Sequence, residues 1–423
     1  MNSLASLFAR SIDLSDFPDP EQLWAAIPGG GGAYALCDAH DRLILLATAQ
    51  SLRRTIKHRL SEPPPDAART KRADLAAVTR RIRWSPAHSR FESTLVYYRL
   101  ARTLHPNRYR KLIGFGPAWF IHVDPQAPLP RFEPTSRVYQ QPGMYWGPYA
   151  TRGDAAEVVA DLEDLFDLCR YHDILDKSPR GQACAYFEMG KCPAPCDGSV
   201  PAETYSSQHC DPARAFLWGN RARQIDHWRR LMDAAARDLA FERAAVLKSR
   251  IERAHGPTPP KHAFARDADD FNYLVVQRAG GTSWLRPFFV TCGRIETTDP
   301  VRRKTLSEVL PSWCRALDAQ YRHGPGDLDA LQRSEQTWLI SHFLFQGNSA
   351  PGCFLHQSQL DPEVAALQRL YEAFPARARR PKNSLANPAV ADNMSPDGLP
   401  PAVNGTAHPD HSTDNDHPEP DHT

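Results

Sequence analysis

Short apolar runs that alternate with polar residues open the chain. Residues 33–48 (AYALCDAHDRLILLAT) read as two short strands around a turn at Asp38–Asp41. Residues 50–60 (QSLRRTIKHRL) predict a basic amphipathic helix, and PPPDAARTK after it predicts a loop. A second helix over 89–104 carries Phe91, Leu95, Tyr98 and Leu100, and Pro106 ends it. Two strands followed by helices predict a small α/β domain. Residues 117–146 are rich in Pro and aromatics and read as extended structure plus linker. The stretch GPYATRGDAAEVVADLEDLFDLC then enters a helix that runs to Cys169. A long helical stretch over 211–255 is rich in Ala, Arg and Leu, and 270–296 reads as a β-hairpin or meander turning at Gly280–Gly281. One more helix is expected near 328–346. From Arg377 onward the chain is Pro, Asn, Asp and His, a composition too polar to form a core, so disorder is expected there. His408, His411, His417 and His422 belong to that low-complexity tail and read as solvated. The pattern as a whole is α/β plus α.

Composition narrows the class. At 423 residues the chain has room for two or three domains with cores of their own. With 41% hydrophobic and 24% charged residues it reads as soluble and globular, and no apolar run approaches a bilayer span, so no membrane partner is expected. The N-terminus (MNSLASLFARSIDLSDF) lacks an apolar signal core and is expected to be retained, which points to the cytoplasm. A net charge of +2 says little about partners. The arginines between Arg53 and Arg110 say more, because a guanidinium donates two parallel hydrogen bonds to a phosphate; the alternative is an ordinary solvated face.

Four of the nine cysteines, Cys169, Cys184, Cys192 and Cys196, stand close together. The last three sit in ACAYFEMGKCPAPCDG, where Pro193 and Pro195 exclude helix and force a tight turn. In a reducing compartment such a cluster favours metal over disulfide. Four thiolates suit either an iron–sulfur cluster or a tetrahedral zinc. Cys37, Cys210, Cys292, Cys314 and Cys353 have no such neighbours in sequence and read as packing residues.

From about residue 25 to 350 the chain resembles the UvrC family, the nuclease subunit of the bacterial excision-repair excinuclease. GPYATRGDAAEVVADLEDLFDLC with CAYFEMGKCPAPCDG is similar to that family's GPY-to-cysteine region, and 231–254 (LMDAAARDLAFERAAVLKSRIERA) is similar to its UVR motif. GAYAL and SLRRTIKHRL resemble a GIY-YIG nuclease fold. The resemblance implies a 4Fe–4S cluster on Cys169, Cys184, Cys192 and Cys196, with zinc as the alternative. It implies that the UVR hairpin docks on UvrB, the damage-loading subunit, through Met232, Leu239, Phe241, Glu242, Ala245 and Leu247. A plain hairpin packed on its own chain is the other reading. DNA contacts are expected from Arg53, Arg54 and Lys57. The implied organisation is a degenerate GIY-YIG-like domain (25–115), a linker and cysteine-rich metal region (116–210), the UVR hairpin (211–256), a UvrC-like β/α region (265–350) and the tail (377–423). The family's RNase H-like nuclease and helix-hairpin-helix repeats are not expected in this sequence.

The GIY-YIG resemblance implies a catalytic set that the residues do not supply. That chemistry needs a divalent metal on a glutamate, tyrosines at the attacking water and an arginine on the phosphate. Tyr34 matches the first motif tyrosine. The Tyr-x-Gly-Lys motif falls on Leu45, Leu46, Ala47 and Thr48, the arginine on Thr55, and the metal glutamate on Tyr97. Glu92 lies five residues before Tyr97, about 140° round a helix and about 7.5 Å along it, so it cannot replace that ligand. The expectation is therefore an excision-repair protein that binds DNA and UvrB with an inactive nuclease centre and no catalytic metal. The alternatives are an active single-incision GIY-YIG endonuclease on damaged DNA and an iron–sulfur regulatory binding protein.

Overall fold

The computed structural model describes residues 4–61, 74–256, 259–324 and 326–375, so the tail expectation lies outside the described residues. The first layer is an antiparallel sheet of β1 (Arg10–Asp13), β2 (Gly32–Cys37), β3 (Leu43–Ala49) and β4 (Arg81–Pro86), ordered β1-β4-β2-β3. The expected strand pair is its β2–β3 half. Strand β4 hides in sequence because arginines alternate with its apolar residues. Ile82 and Trp84 face the core, while Arg83 clasps Asp41 at 2.8 and 2.9 Å and Arg81 bonds Asp13 at 3.0 Å.

Three helices dress this sheet: α1 (Pro20–Ala26), α2 (Leu52–Leu60) and α3 (Arg90–Leu104). Ser51 and Ser89 start the latter two by accepting the backbone N–H of Arg54 and Glu92. Strand alternation sends Tyr34 and Leu36 toward Leu52 and Ile56 of α2, and Ala33, Ala35 and Cys37 toward Phe91, Leu95 and Tyr98 of α3. Strand β2 is thus buried on both faces. Gly32 permits this, since a Cβ there would lie 2.4 Å from the Ser85 carbonyl.

Residues 117–146 are not a linker. β5 (Trp119–Val123), β6 (Glu133–Thr135), β7 (Met144–Tyr149) and β8 (Arg266–Asp267) form a second antiparallel sheet, ordered β6-β5-β7-β8. The prolines and glycines between short strands concealed it. Helix α4 (Arg152–Phe166), entered through a Thr151–Asp154 capping box, packs Ala155, Val159 and Leu162 with Ile121 and Tyr149 of this sheet. Short turns carry the cysteines, and helical segments from Ala202 lose helical geometry at Trp218–Gly219 before α5 (Arg221–Arg237). Helix α6 (Phe241–His255) returns antiparallel to complete the hairpin.

The last sheet holds β9 (Asn272–Arg278), β10 (Trp284–Thr291), β11 (Arg294–Thr297) and β12 (Val301–Arg302), followed by α7 (Leu306–His323) and α8 (Ala330–Leu344). β13 (Cys353–His356) and α9 (Glu363–Ala373) end it, and the order is β11-β10-β9-β13 with β12 also on β10. The expected hairpin turns at Gly280 and Gly281, whose φ of 69° and 106° favour glycine. One sheet face packs on α7 and α9, and the other buries Val275, Phe288 and Val290 against α3 and α8. The Phe91 ring lies 5.0 Å from that of Phe288 and 5.3 Å from that of Phe343, both edge-on. The regions 25–115 and 265–350 therefore share a core, in which each such aromatic contributes roughly 1.5–3 kcal/mol by burial.

Candidate functional site

The cysteine segment folds back on itself through its own backbone. Asp167, in left-handed conformation, ends α4 and delivers Cys169, whose N–H donates to the Tyr205 hydroxyl at 2.9 Å. The Gly181 N–H donates to the Cys196 carbonyl at 2.8 Å, and the Ser178 hydroxyl to the Pro195 carbonyl at 2.7 Å. A side chain at Gly181 would collide with Cys196, its Cβ 2.8 Å from that carbonyl. Cys169, Cys192 and Cys196 are buried and Cys184 half-buried. Cys192 sits at the electrostatic centre. Its contact with Cys169 holds its thiol below the usual value, while Cys184 and Cys196 push it up. That contact, then burial, pushes Cys169 up, and burial raises Cys196. Cys192 thus feels the other three thiols, and Cys196 feels Cys169.

The donor set fits a metal group bound by thiolates. A tetrahedral zinc holds its sulfurs about 3.8 Å apart. Among the described residues, the one group of three His, Cys, Asp or Glu side chains with all ligand atoms within 4.8 Å of one another is Asp154, Glu157 and His262. That group already neutralises Lys261, 2.9 Å from Asp154 and 2.5 Å from Glu157. Of the other cysteines, Cys210 lies nearest the cage in effect; burial pushes it up to about 12 and its Sγ is 3.5 Å from the Pro130 carbonyl.

The second site is a cleft of ≈ 1030 Å³ between β3, the start of α3 and the β9–β10 turn. Its lining includes Thr48 and Tyr97, where the resemblance expected the lysine and the metal glutamate, but not Leu45, Thr55 or Tyr34, where it expected the other catalytic groups. The groups themselves are absent: no Asp or Glu lines the cleft. A divalent metal held by a carboxylate therefore does not fit this donor set. Glu92 is spent elsewhere, accepting the His88 N–H at 2.8 Å and pairing with Arg286. Burial raises Tyr97 and lowers His342, which Arg90 lowers further.

Tyr34, the expected catalytic tyrosine, does not line the cleft. Strand alternation turns it toward α2, where it is fully buried, and its hydroxyl finds no hydrogen-bond partner. Burial raises it further from use as a base, and the nearby Arg59 offsets only part of that.

Two other groups of expected residues divide likewise. Arg54 and Lys57 are exposed on α2, but the Arg53 guanidinium is committed to the carbonyls of Ile27 (2.8 Å) and Ala25 (3.2 Å), which end α1. Arg53 is thus a helix-end clamp. In the α5–α6 hairpin, Leu239 and Phe241 are 71% and 66% exposed at the tip, and Val246 beside them is also exposed. Glu242 and Ala245 are exposed and Met232 half-buried. Leu247 is buried in the protein's own core with Ala254 and Trp228, because it lies on the inner face of α6. It is not offered to a partner.

Sequence reasoning missed a buried hub. Glu335 of α8 is fully buried and accepts from the Tyr98 hydroxyl (2.9 Å), the Tyr109 hydroxyl (2.6 Å) and Arg110 (3.0 Å). It raises both tyrosines, after burial, and joins α3 to α8 beside the cleft. A single Glu on an apolar helix was its only signal.

The chain is similar to known proteins over part of its length. A family profile described as UvrC/Cho excinuclease, middle domain, matches residues 118–214, which span β5 to β7, α4 and all four cage cysteines. Over residues 118–214 the chain thus matches the UvrC/Cho family, and its wider similarity is to UvrC proteins. It is 26% identical over 270 residues to UvrABC system protein C of Actinobacillus succinogenes, covering 64% of this chain and 43% of that protein. The same-named protein of Moorella thermoacetica is 26% identical over 281 residues (66% and 44%), and that of Nitratidesulfovibrio vulgaris 29% over 270 (64% and 38%). The matched stretch spans less than half the length of each of these relatives. No solved structure matches. No described helix is long and apolar enough to cross a membrane.

Proposed function

We propose that this chain is a UvrC-type factor of nucleotide excision repair that binds DNA and UvrB and does not cut at its GIY-YIG-like centre. One observation carries the reading: no Asp or Glu is among the described residues that line the cleft at Thr48 and Tyr97, where the resemblance expects a lysine and a metal-binding glutamate. Losing one such catalytic group already costs orders of magnitude in rate. Cys169, Cys184, Cys192 and Cys196 would hold a 4Fe–4S cluster, which supplies redox chemistry and a rigid cross-link when bound. A tetrahedral zinc on the same four thiolates is the alternative. UvrB would meet the exposed tip of Leu239 and Phe241, an apolar surface that a partner can cover. Arg54 and Lys57 remain free to meet phosphate on α2.

Incision of a damaged duplex by the chain with magnesium or manganese tests the central point. No cutting above a protein-free control is expected. Robust cutting that disappears in Tyr34→Phe would sink the non-cutting reading. Phe241→Asp should weaken UvrB association about tenfold or more without moving the melting temperature.

A further inference from the structure

The lining of the cleft carries one sign of charge. Arg90 and Arg278 reach it, and neither forms an ion pair with any described residue. Some arginines elsewhere are neutralised by carboxylates, as Arg83 is by Asp41 and Arg250 by Asp167, but the cleft lining holds no Asp or Glu among the described residues to do the same. Arg90 is exposed. Arg278 is steadied by the Thr282 carbonyl at 2.9 Å and by the Phe374 ring, 5.4 Å from its guanidinium carbon. Thr48 and Ser93 add uncharged donors, and Tyr97 adds a half-buried aromatic ring. The Gly280 turn forms one wall, a Cβ there lying only 3.4 Å from the His88 ring.

We propose that this cleft binds a single-stranded nucleic-acid segment without a divalent ion. Arg90 and Arg278 take phosphate oxygens, and Tyr97 stacks on a base. The physical argument is complementarity. A phosphodiester in a metal-dependent site is neutralised by the metal and its carboxylates together; here guanidiniums alone do so. A base can stack on Tyr97 only where its own stack is open, which a single strand offers and a duplex does not. The volume of ≈ 1030 Å³ lies at the upper end for a pocket enclosing a small ligand, which suits a few nucleotides of one strand. The inference rests on the DNA-binding reading above and narrows it to one site and one form of nucleic acid.

The test is fluorescence anisotropy of a short labelled oligothymidylate with the full chain, first in EDTA and then in magnesium. Affinity should be the same in both. Arg90→Glu and Arg278→Glu should each weaken binding about tenfold and flatten the salt dependence by about one unit of log–log slope. Tyr97→Ala should weaken it about fivefold or more. Arg230→Glu, exposed on α5, should change nothing, and thermal melts should match wild type for the exposed Arg90 variant. Unchanged affinity in both Arg90→Glu and Tyr97→Ala overturns the proposal, as does binding that appears only with magnesium. Equal affinity for a duplex overturns the single-strand assignment. A wild-type chain that binds the oligonucleotide in this way yet ignores UvrB supports the site and removes the partner reading.

Discussion

The cysteine cage and the cleft are two sites of one chain built on different terms. The cage draws three of its four sulfurs from thirteen consecutive residues, and that segment is tied back by the Gly181 N–H and the Ser178 hydroxyl, which donate to the Cys196 and Pro195 carbonyls. The cleft is assembled from β3, α3 and the β9–β10 turn, which are far apart in sequence. Its walls serve the core regardless of what its surface residues do. The cleft's residues come from separate elements, whereas Cys169 and Cys192 of the cysteine segment are in direct contact.

The sharpest way to break this comparison is Cys192→Ser, at the electrostatic centre of the cage. Anaerobically purified wild type should show a broad visible absorbance and iron, and the variant should lose essentially all of both. Colourless wild-type protein carrying one zinc would reassign the cage. A smaller effect follows from Glu335→Ala, which leaves two tyrosine hydroxyls and Arg110 without their buried acceptor. It should destabilise the chain by about 3–5 kcal/mol in denaturant titration. The visible spectrum of the folded protein should not change, since cage and hub lie in different clusters. A changed spectrum would show the two regions to be coupled. The smallest effect belongs to Tyr97→Glu, which returns a carboxylate to the cleft at a cost of about 1 kcal/mol from a half-buried position. Incision should stay undetectable, because the lysine, arginine and tyrosine partners are still missing. Magnesium-dependent cutting in this variant would mean that one carboxylate was all the cleft lacked.

The sequence announced what repeats on a short period or carries a local signal. The β2–β3 pair, the α3 periodicity and the Gly280–Gly281 hairpin all stand where the pattern puts them. Strand β4 was hidden because its outward residues are arginines with distant carboxylate partners. The middle sheet was hidden by prolines between strands too short to show alternation. Tyr34 was legible as a motif residue but not as a core residue, since which face of β2 meets α2 depends on packing. Arg53 likewise looked free until the end of α1 was placed beside it. The open guanidiniums of Arg90 and Arg278 come from elements almost two hundred residues apart, and no local pattern joins them. The same is true of Glu335 and its two tyrosines.

The edge-on contact of Phe91 with Phe288 and Phe343 has a consequence for how the chain is made. The first α/β layer emerges from the ribosome early, yet the ring that covers the far side of α3 is supplied some two hundred and fifty residues later. Domains released during synthesis ordinarily fold as they appear. This one must wait with an apolar helix face uncovered until α8 is translated. During that interval a chaperone or the ribosome surface is the only available cover, and a nascent chain stalled before residue 345 should be the aggregation-prone form of this protein.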